Sequence, residues 1–145
     1  MKIVAQRVNG ATLYADGQLV SEIGRGLVVY FGVKAGDGMA QADKCAEKLA
    51  GLRVFEDEAG KMNLSVKEIG GEILFVSQFT LYGDCKRGNR PSFTEAERPE
   101  LAEPLYQYCA EQIRKQGVPV KLGVFGADMR ICQENQGPVT IIYEI

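Results

Sequence analysis

The 145-residue chain contains no histidine. That absence removes the Ser-His-Asp triad, histidine-ligated zinc and the commonest general base together, so any catalysis has to work through other groups. Cys45, Cys85, Cys109 and Cys132 are widely spaced, with no C-x-x-C pair. They suggest neither a zinc site nor a disulfide framework, and free, largely structural thiols are expected. No apolar run approaches the ~20 residues of a membrane helix. The alternating N-terminal segment lacks the apolar core and small-residue cleavage site of a signal peptide, so a cytoplasmic protein is expected. A net charge of −2 argues against a protein that coats DNA or RNA through a broad basic field, and leaves a local phosphate contact open.

What is present is ordinary for one folded unit: 46% hydrophobic and 25% charged residues, enough for a single domain over 1–145 with a real core. Residues 2–9 alternate as a strand; Asn9-Gly10 signals a turn, and 11–15 runs back as a second strand. Asp16-Gly17 predicts another hairpin into 19–23, and Gly24 and Gly26 bracket a reversal before the apolar segment 27–33. Arg7, on the first strand, is expected to point outward, because charges are rarely buried. Ala42, Cys45, Ala46, Leu49 and Ala50 follow helical spacing within 40–52. A short strand at 52–55 and a polar turn follow. The acidic turn 56–61 lacks the ligand spacing and downstream glutamate of an EF-hand, and is read as solvated rather than metal-binding. A second helix is expected from Glu103 or Pro104 to Gly117, because Pro104 fits poorly inside a helix, with Leu105, Tyr108, Cys109, Gln112 and Ile113 as its buried stripe. Residues 118–124, 129–132 and 139–145 read as closing strands.

Three stretches carry candidate chemistry. Residues 72–81 begin as a doubly buried strand, but Ser77, Gln78 and Thr80 then place neutral polar side chains on it, where each unpaired group costs about 1–3 kcal/mol. Either they bond to neighbouring backbone or they floor a pocket. Lys86, Arg87 and Arg90 gather on a Gly-containing loop suited to phosphate contacts, or are simply solvated. Gly137-Pro138, ahead of the last strand, is a turn signal that can also direct carbonyl oxygens at a ligand, since glycine takes backbone angles closed to other residues and an X-Pro bond can be cis.

Ser77, Gln78, Phe79, Thr80 and Leu81, paired with Asn135, Gln136, Gly137, Pro138, Val139 and Thr140, resemble the two signature motifs of the D-aminoacyl-tRNA deacylases. The resemblance extends to Gln6-Arg7-Val8, to the Gly60–Asn63 and Arg90–Phe93 stretches, and to Gly126-Ala127-Asp128-Met129. The family's second motif often has Asp where this chain has Gln136, and a related type acting on L-alanyl-tRNA differs in both motifs. Together with the element pattern, the resemblance implies an α+β fold: a single domain with a curled, largely antiparallel or mixed, barrel-like sheet and two main helices. It further implies a homodimer in which a cis Gly137-Pro138 enters the other subunit's site. Ser77, Gln78, Phe79 and Thr80 would line the pocket for the aminoacyl ester and terminal adenosine and carry the catalysis, either with Thr80 as nucleophile or with backbone amides near Phe79 and Thr80 holding the oxyanion while the ribose 2′-hydroxyl assists water. Arg7 and Met129 would join the substrate-binding residues, and Lys86, Arg87 and Arg90 would meet tRNA phosphates. The implied reaction is ester hydrolysis of D-aminoacyl-tRNA at the acceptor end, extending to glycine mischarged on a non-cognate tRNA such as tRNA-Ala, with no metal or organic cofactor. The alternative is a non-catalytic module that binds the tRNA acceptor end.

Overall fold

The computed structural model describes residues 1–145. Its elements in order are β1 (Lys2–Ala15), β2 (Gln18–Ile23), β3 (Gly26–Gly32), α1 (Met39–Gly51), β4 (Arg53–Glu56), β5 (Met62–Ser65), β6 (Glu72–Ser77), a 3-10 helix (Phe79–Tyr82), α2 (Pro99–Lys115), β7 (Val120–Leu122) and β8 (Met129–Glu144). The main sheet runs β2-β1-β3-β6-β7, and β8 also pairs with β1. Pairing is antiparallel around β1 and parallel from β3 through β6 to β7. The sheet curls until β2 meets β7: the Ser21 hydroxyl donates to the Leu122 carbonyl at 2.7 Å and Lys121 Nζ to the Glu22 carbonyl at 2.8 Å. The result is the mixed, barrel-like sheet with two helices that the sequence implied.

β6 explains the continuous apolar run. Ile73 and Phe75 face the two helices with Leu27, Val29 and Phe31, while Leu74 and Val76 turn into the barrel with Val8, Leu13, Ile23 and Val28. Each such side chain contributes about 1.5–3 kcal/mol on full burial. α1 buries the predicted Ala42, Cys45, Ala46, Leu49 and Ala50. Burial pushes the Cys45 thiol up to about 12, and Cys109 is raised by the same cause. Both are structural, as expected, whereas Cys85 and Cys132 are exposed.

Several expectations are corrected. Asn9-Gly10 is not a reversal: β1 runs straight through it, and Val8 pairs with Asn135 while Gly10 pairs with Glu134, leaving Asn9 as the extra residue of a bulge. That residue flips the facing, so Ile3 and Ala5 lie under the helices while Ala11 and Leu13 lie in the barrel. The true hairpin is Asp16-Gly17, with φ of 50° and 75°, the twist a two-residue hairpin needs. β5, not anticipated, pairs with β4. The turn between them is organised by Asp57, whose carboxylate accepts the N–H groups of Ala59 and Lys61 and the Asn63 amide. The Lys61 N–H foremost holds that carboxyl below its usual range.

α2 starts at Pro99, not near Glu103, and carries Pro104 inside it. Pro104 deprives the Glu100 carbonyl of its donor, and both residues are exposed, which leaves that carbonyl open to solvent. The buried stripe is accordingly Ala102, Tyr106, Cys109, Ala110 and Ile113; Leu105, Tyr108 and Gln112 sit at its edge. Finally, β8 is one strand rather than two, with Gly137-Pro138 bulging from it: Asn135 pairs with Val8 and Thr140 with Gln6, and the residues between leave the ladder.

Candidate active site

β6 ends at Ser77, where the main chain leaves the sheet. Gln78 N–H still donates to the Phe31 carbonyl at 2.8 Å, after which Phe79–Tyr82 wind into the 3-10 helix. The polar residues are therefore not buried on a strand, which removes the desolvation cost their sequence position implied. Ser77, Gln78 and Phe79 instead line a cavity of about 600 Å³ between the end of the sheet and α2. Its floor is aromatic: Phe31, Tyr106 and Phe125 line it, Tyr106 stacks on Phe75 at 5.1 Å, and the buried Tyr106 hydroxyl donates to the Phe75 carbonyl at 2.6 Å. Phe93 meets Phe79 edge-on at 5.1 Å in the wall, and Met129 lines the far side.

The polar equipment is sparse. Ser77's hydroxyl makes no hydrogen bond within the protein, and Thr80, exposed on the turn and outside the cavity wall, receives the Gln78 side-chain amide on its hydroxyl at 2.5 Å. The Gln78 amide donates in this contact and so supplies no base to the Thr80 hydroxyl. The N–H groups of Phe79 and Thr80 open the 3-10 turn and have no backbone acceptor. Phe79 lines the cavity and Thr80 follows it on the turn, and two adjacent free amides are suited to hold negative charge developing on an oxygen.

Arg7 is only 5% exposed, against expectation. Its charge is matched by polar groups: Nη1 donates to the Val54 carbonyl at 2.7 Å, Nε to the Gln136 carbonyl at 3.3 Å, and Nη2 lies 3.9 Å from the Glu56 carboxylate. Arg7 thus joins β4 to the segment carrying Gly137, whose peptide bond to Pro138 is cis. That pair does not line the chain's own cavity. It sits beside the middle of β1, whereas Ser77 pairs with Phe31, opposite Ile3 near the start of β1. The fold therefore brings Ser77, Gln78, Phe79 and Met129 together and keeps Arg7, Gly137 and Pro138 apart from them.

Lys86, Arg87 and Arg90 stand on an exposed loop closed by the Asp84–Ser92 bridge, next to Phe93 at the cavity wall. None of the three makes an ion pair. Phe31, Tyr106 and Phe125 are cavity residues that sequence reasoning did not single out, and Phe93 and Asp128, also in the lining, stood only within the stretches that carry the family resemblance. Tyr106 was recoverable, since a helix started at Pro99 puts Ala102, Tyr106, Cys109 and Ile113 on one face.

Residues 4–144 match the D-Tyr-tRNA(Tyr) deacylase family. The D-aminoacyl-tRNA deacylase of Syntrophomonas wolfei subsp. wolfei is 51% identical, over 99% of this chain and 97% of its own length. That of Geotalea daltonii is 53% identical over 99% and 96%. Among solved structures, one named c-Myc DNA unwinding element binding protein superposes with a TM-score of 0.93 at 42% identity, covering 100% of this chain and 99% of that one. Another, described as a probable eukaryotic D-amino acid tRNA deacylase, has a TM-score of 0.87 at 20% identity, over 99% and 98%, and shares the fold. From these matches along its full length, the chain belongs to the D-Tyr-tRNA(Tyr) deacylase family, a family of hydrolases.

Proposed function

We propose that this protein hydrolyses the ester of D-aminoacyl-tRNA, releasing the D-amino acid and free tRNA. The observation that carries the chemistry is the pair of free N–H groups at Phe79, in the wall of a cavity whose lining offers no histidine and no cysteine, and at Thr80, the next residue on the turn. An aminoacyl ester is already activated. Water attacks its carbonyl carbon, the two amides hold the resulting oxyanion, and the bond to the ribose oxygen breaks as that oxygen takes a proton, with the neighbouring ribose hydroxyl assisting. The terminal adenosine occupies the aromatic cavity. In this mechanism Thr80 is not the nucleophile. Thr80→Val, nearly isosteric, is expected to retain substantial single-turnover deacylation of D-tyrosyl-tRNA; a fall to the uncatalysed rate would make Thr80 the nucleophile instead.

The separation of Gly137-Pro138 from its own cavity supports a homodimer in which each chain lends this pair to the partner's site. The Gly137 and Pro138 carbonyls then face the substrate's α-carbon and admit hydrogen where an L side chain would stand. Such a filter rejects rather than grips, so it accepts many D-residues and also glycine, including glycine mischarged on tRNA-Ala. A tRNA substrate is consistent with a cytoplasmic protein, and no helix is long and apolar enough to cross a membrane.

Lys86, Arg87 and Arg90 touch acceptor-end phosphates without reading sequence. Replacing all three with alanine is expected to weaken different tRNAs alike and flatten the slope of log affinity against log salt by about one unit per lost contact at most. An unchanged slope would make the loop merely solvated. A second reading, nucleic-acid binding without turnover, is favoured by the name of the 42%-identical structure. Trace protein added to excess D-tyrosyl-tRNA decides between the two. Clearance of the whole pool means catalysis, and protection or one stoichiometric event means a binder.

A further inference from the structure

Beside the main cavity lies a second, of about 320 Å³, lined by Tyr14, Asp16, Gly17, Asp128, Met129 and Arg130. The two share Asp128 and Met129, so they adjoin along that wall. Tyr14 and Arg130 are directly opposed in the β1–β8 ladder, and the guanidinium lies over the phenol ring at 4.5 Å. Arg130 is exposed and makes no ion pair. A guanidinium seated on a ring presents a flat cationic face of the kind on which nucleic-acid bases stack. The rest of the lining selects what stacks there. Two carboxylates, Asp16 and Asp128, against one guanidinium repel a phosphate, but they accept N–H from an exocyclic amine, as carboxylates do from cytosine N4.

The nucleotide preceding the terminal adenosine of tRNA is a cytidine. We infer that the second cavity is a subsite for this penultimate cytidine, its base stacked on the Tyr14–Arg130 pair and its amine given to Asp16 or Asp128. The inference rests on the proposal that the terminal aminoacyl-adenosine fills the main cavity. Its test uses an acceptor-stem minihelix charged with D-tyrosine, intact or abasic at the penultimate position, with kcat/KM and equilibrium binding both measured. Wild-type protein should lose roughly 10-fold or more in both on the abasic substrate, mainly through KM, as for one stacked base. In Arg130→Ala, exposed and therefore safe for folding, the factor separating the two substrates should fall toward one. Uridine at that position, which replaces the amine with a carbonyl, should cost wild-type several-fold. Equal behaviour of intact and abasic minihelices, or an undiminished factor in Arg130→Ala, overturns the subsite. If no minihelix is hydrolysed, the catalytic proposal fails, while the binding ratio still decides the subsite.

Discussion

Gly137→Ala is expected to abolish most of the discrimination between D- and L-aminoacyl-tRNA while leaving the fold intact. Gly137 has a φ of +115°, in a region that residues with a side chain adopt only under strain of about 1–3 kcal/mol. A Cβ there would stand 3.0 Å from Arg7 Nη2, 3.0 Å from Val139 Cγ2 and 3.1 Å from the Val139 N. Arg7 cannot retreat without giving up the Val54 and Gln136 carbonyls it holds, so the displaced group is the bulge itself. Because that bulge lies outside the β1–β8 ladder, its movement costs few backbone bonds and the strand survives. A shift of about 1 Å in a positioning element can cost ~10²-fold in rate. The ratio of single-turnover rates on D- and L-tyrosyl-tRNA should therefore fall at least about tenfold, with the D rate reduced as well. A ratio equal to wild type, in a variant that still unfolds cooperatively, would remove Gly137 from the proposed selector.

The largest stability effect is expected at Gly26, the first residue of β3. It pairs with Glu72 at the start of the parallel β3–β6 ladder, and a Cβ on it would fall on the Glu72 carbonyl oxygen, well inside contact distance. Backbone cannot rotate aside as a side chain can. Gly26→Ala must therefore part β3 from β6 at the point where both enter the core, for about 3 kcal/mol or more, or roughly 10 °C in Tm for a chain of this size. Gly24, two residues earlier, has nothing within 4 Å of the equivalent position, so Gly24→Ala should stay within about 0.5 kcal/mol. Thermal unfolding of the two variants checks this directly. A Gly26→Ala protein melting within 2 °C or so of wild type would contradict the packing described for β3 and β6.

How far the sequence could be read depended on how local each determinant was. The apolar alternation of β1, the uninterrupted run of β6 and the helical spacing of α1 are local patterns, and each is where periodicity puts it. Asn9-Gly10 misled because the dipeptide of a tight hairpin also suits a bulge, and only the partner strand β8 decides which forms. Pro104 misled because the local cost of a proline inside a helix is outweighed here by the apolar face that α2 buries, and that packing is not visible in the local sequence. That one displacement of the helix start carried Tyr106 out of the expected stripe, and with it the cavity's aromatic floor. The polar end of β6 was recognisable as a site because strand continuation would have been costly, yet the escape into a 3-10 turn depends on the tertiary bond from Gln78 to Phe31. Arg7 was least legible of all. Its burial rests on carbonyls from residues 54 and 136, far away in sequence, and no local pattern announces them.

The most direct measurement compares single-turnover deacylation of D-tyrosyl-tRNA and L-tyrosyl-tRNA by the wild-type protein in excess over substrate. A filter that excludes the L side chain at the α-carbon predicts rapid loss of the D ester and an L rate at least about 10²-fold slower, equivalent to about 2.7 kcal/mol of discrimination. Equal rates for the two, or no acceleration of either above the spontaneous rate, would contradict the account.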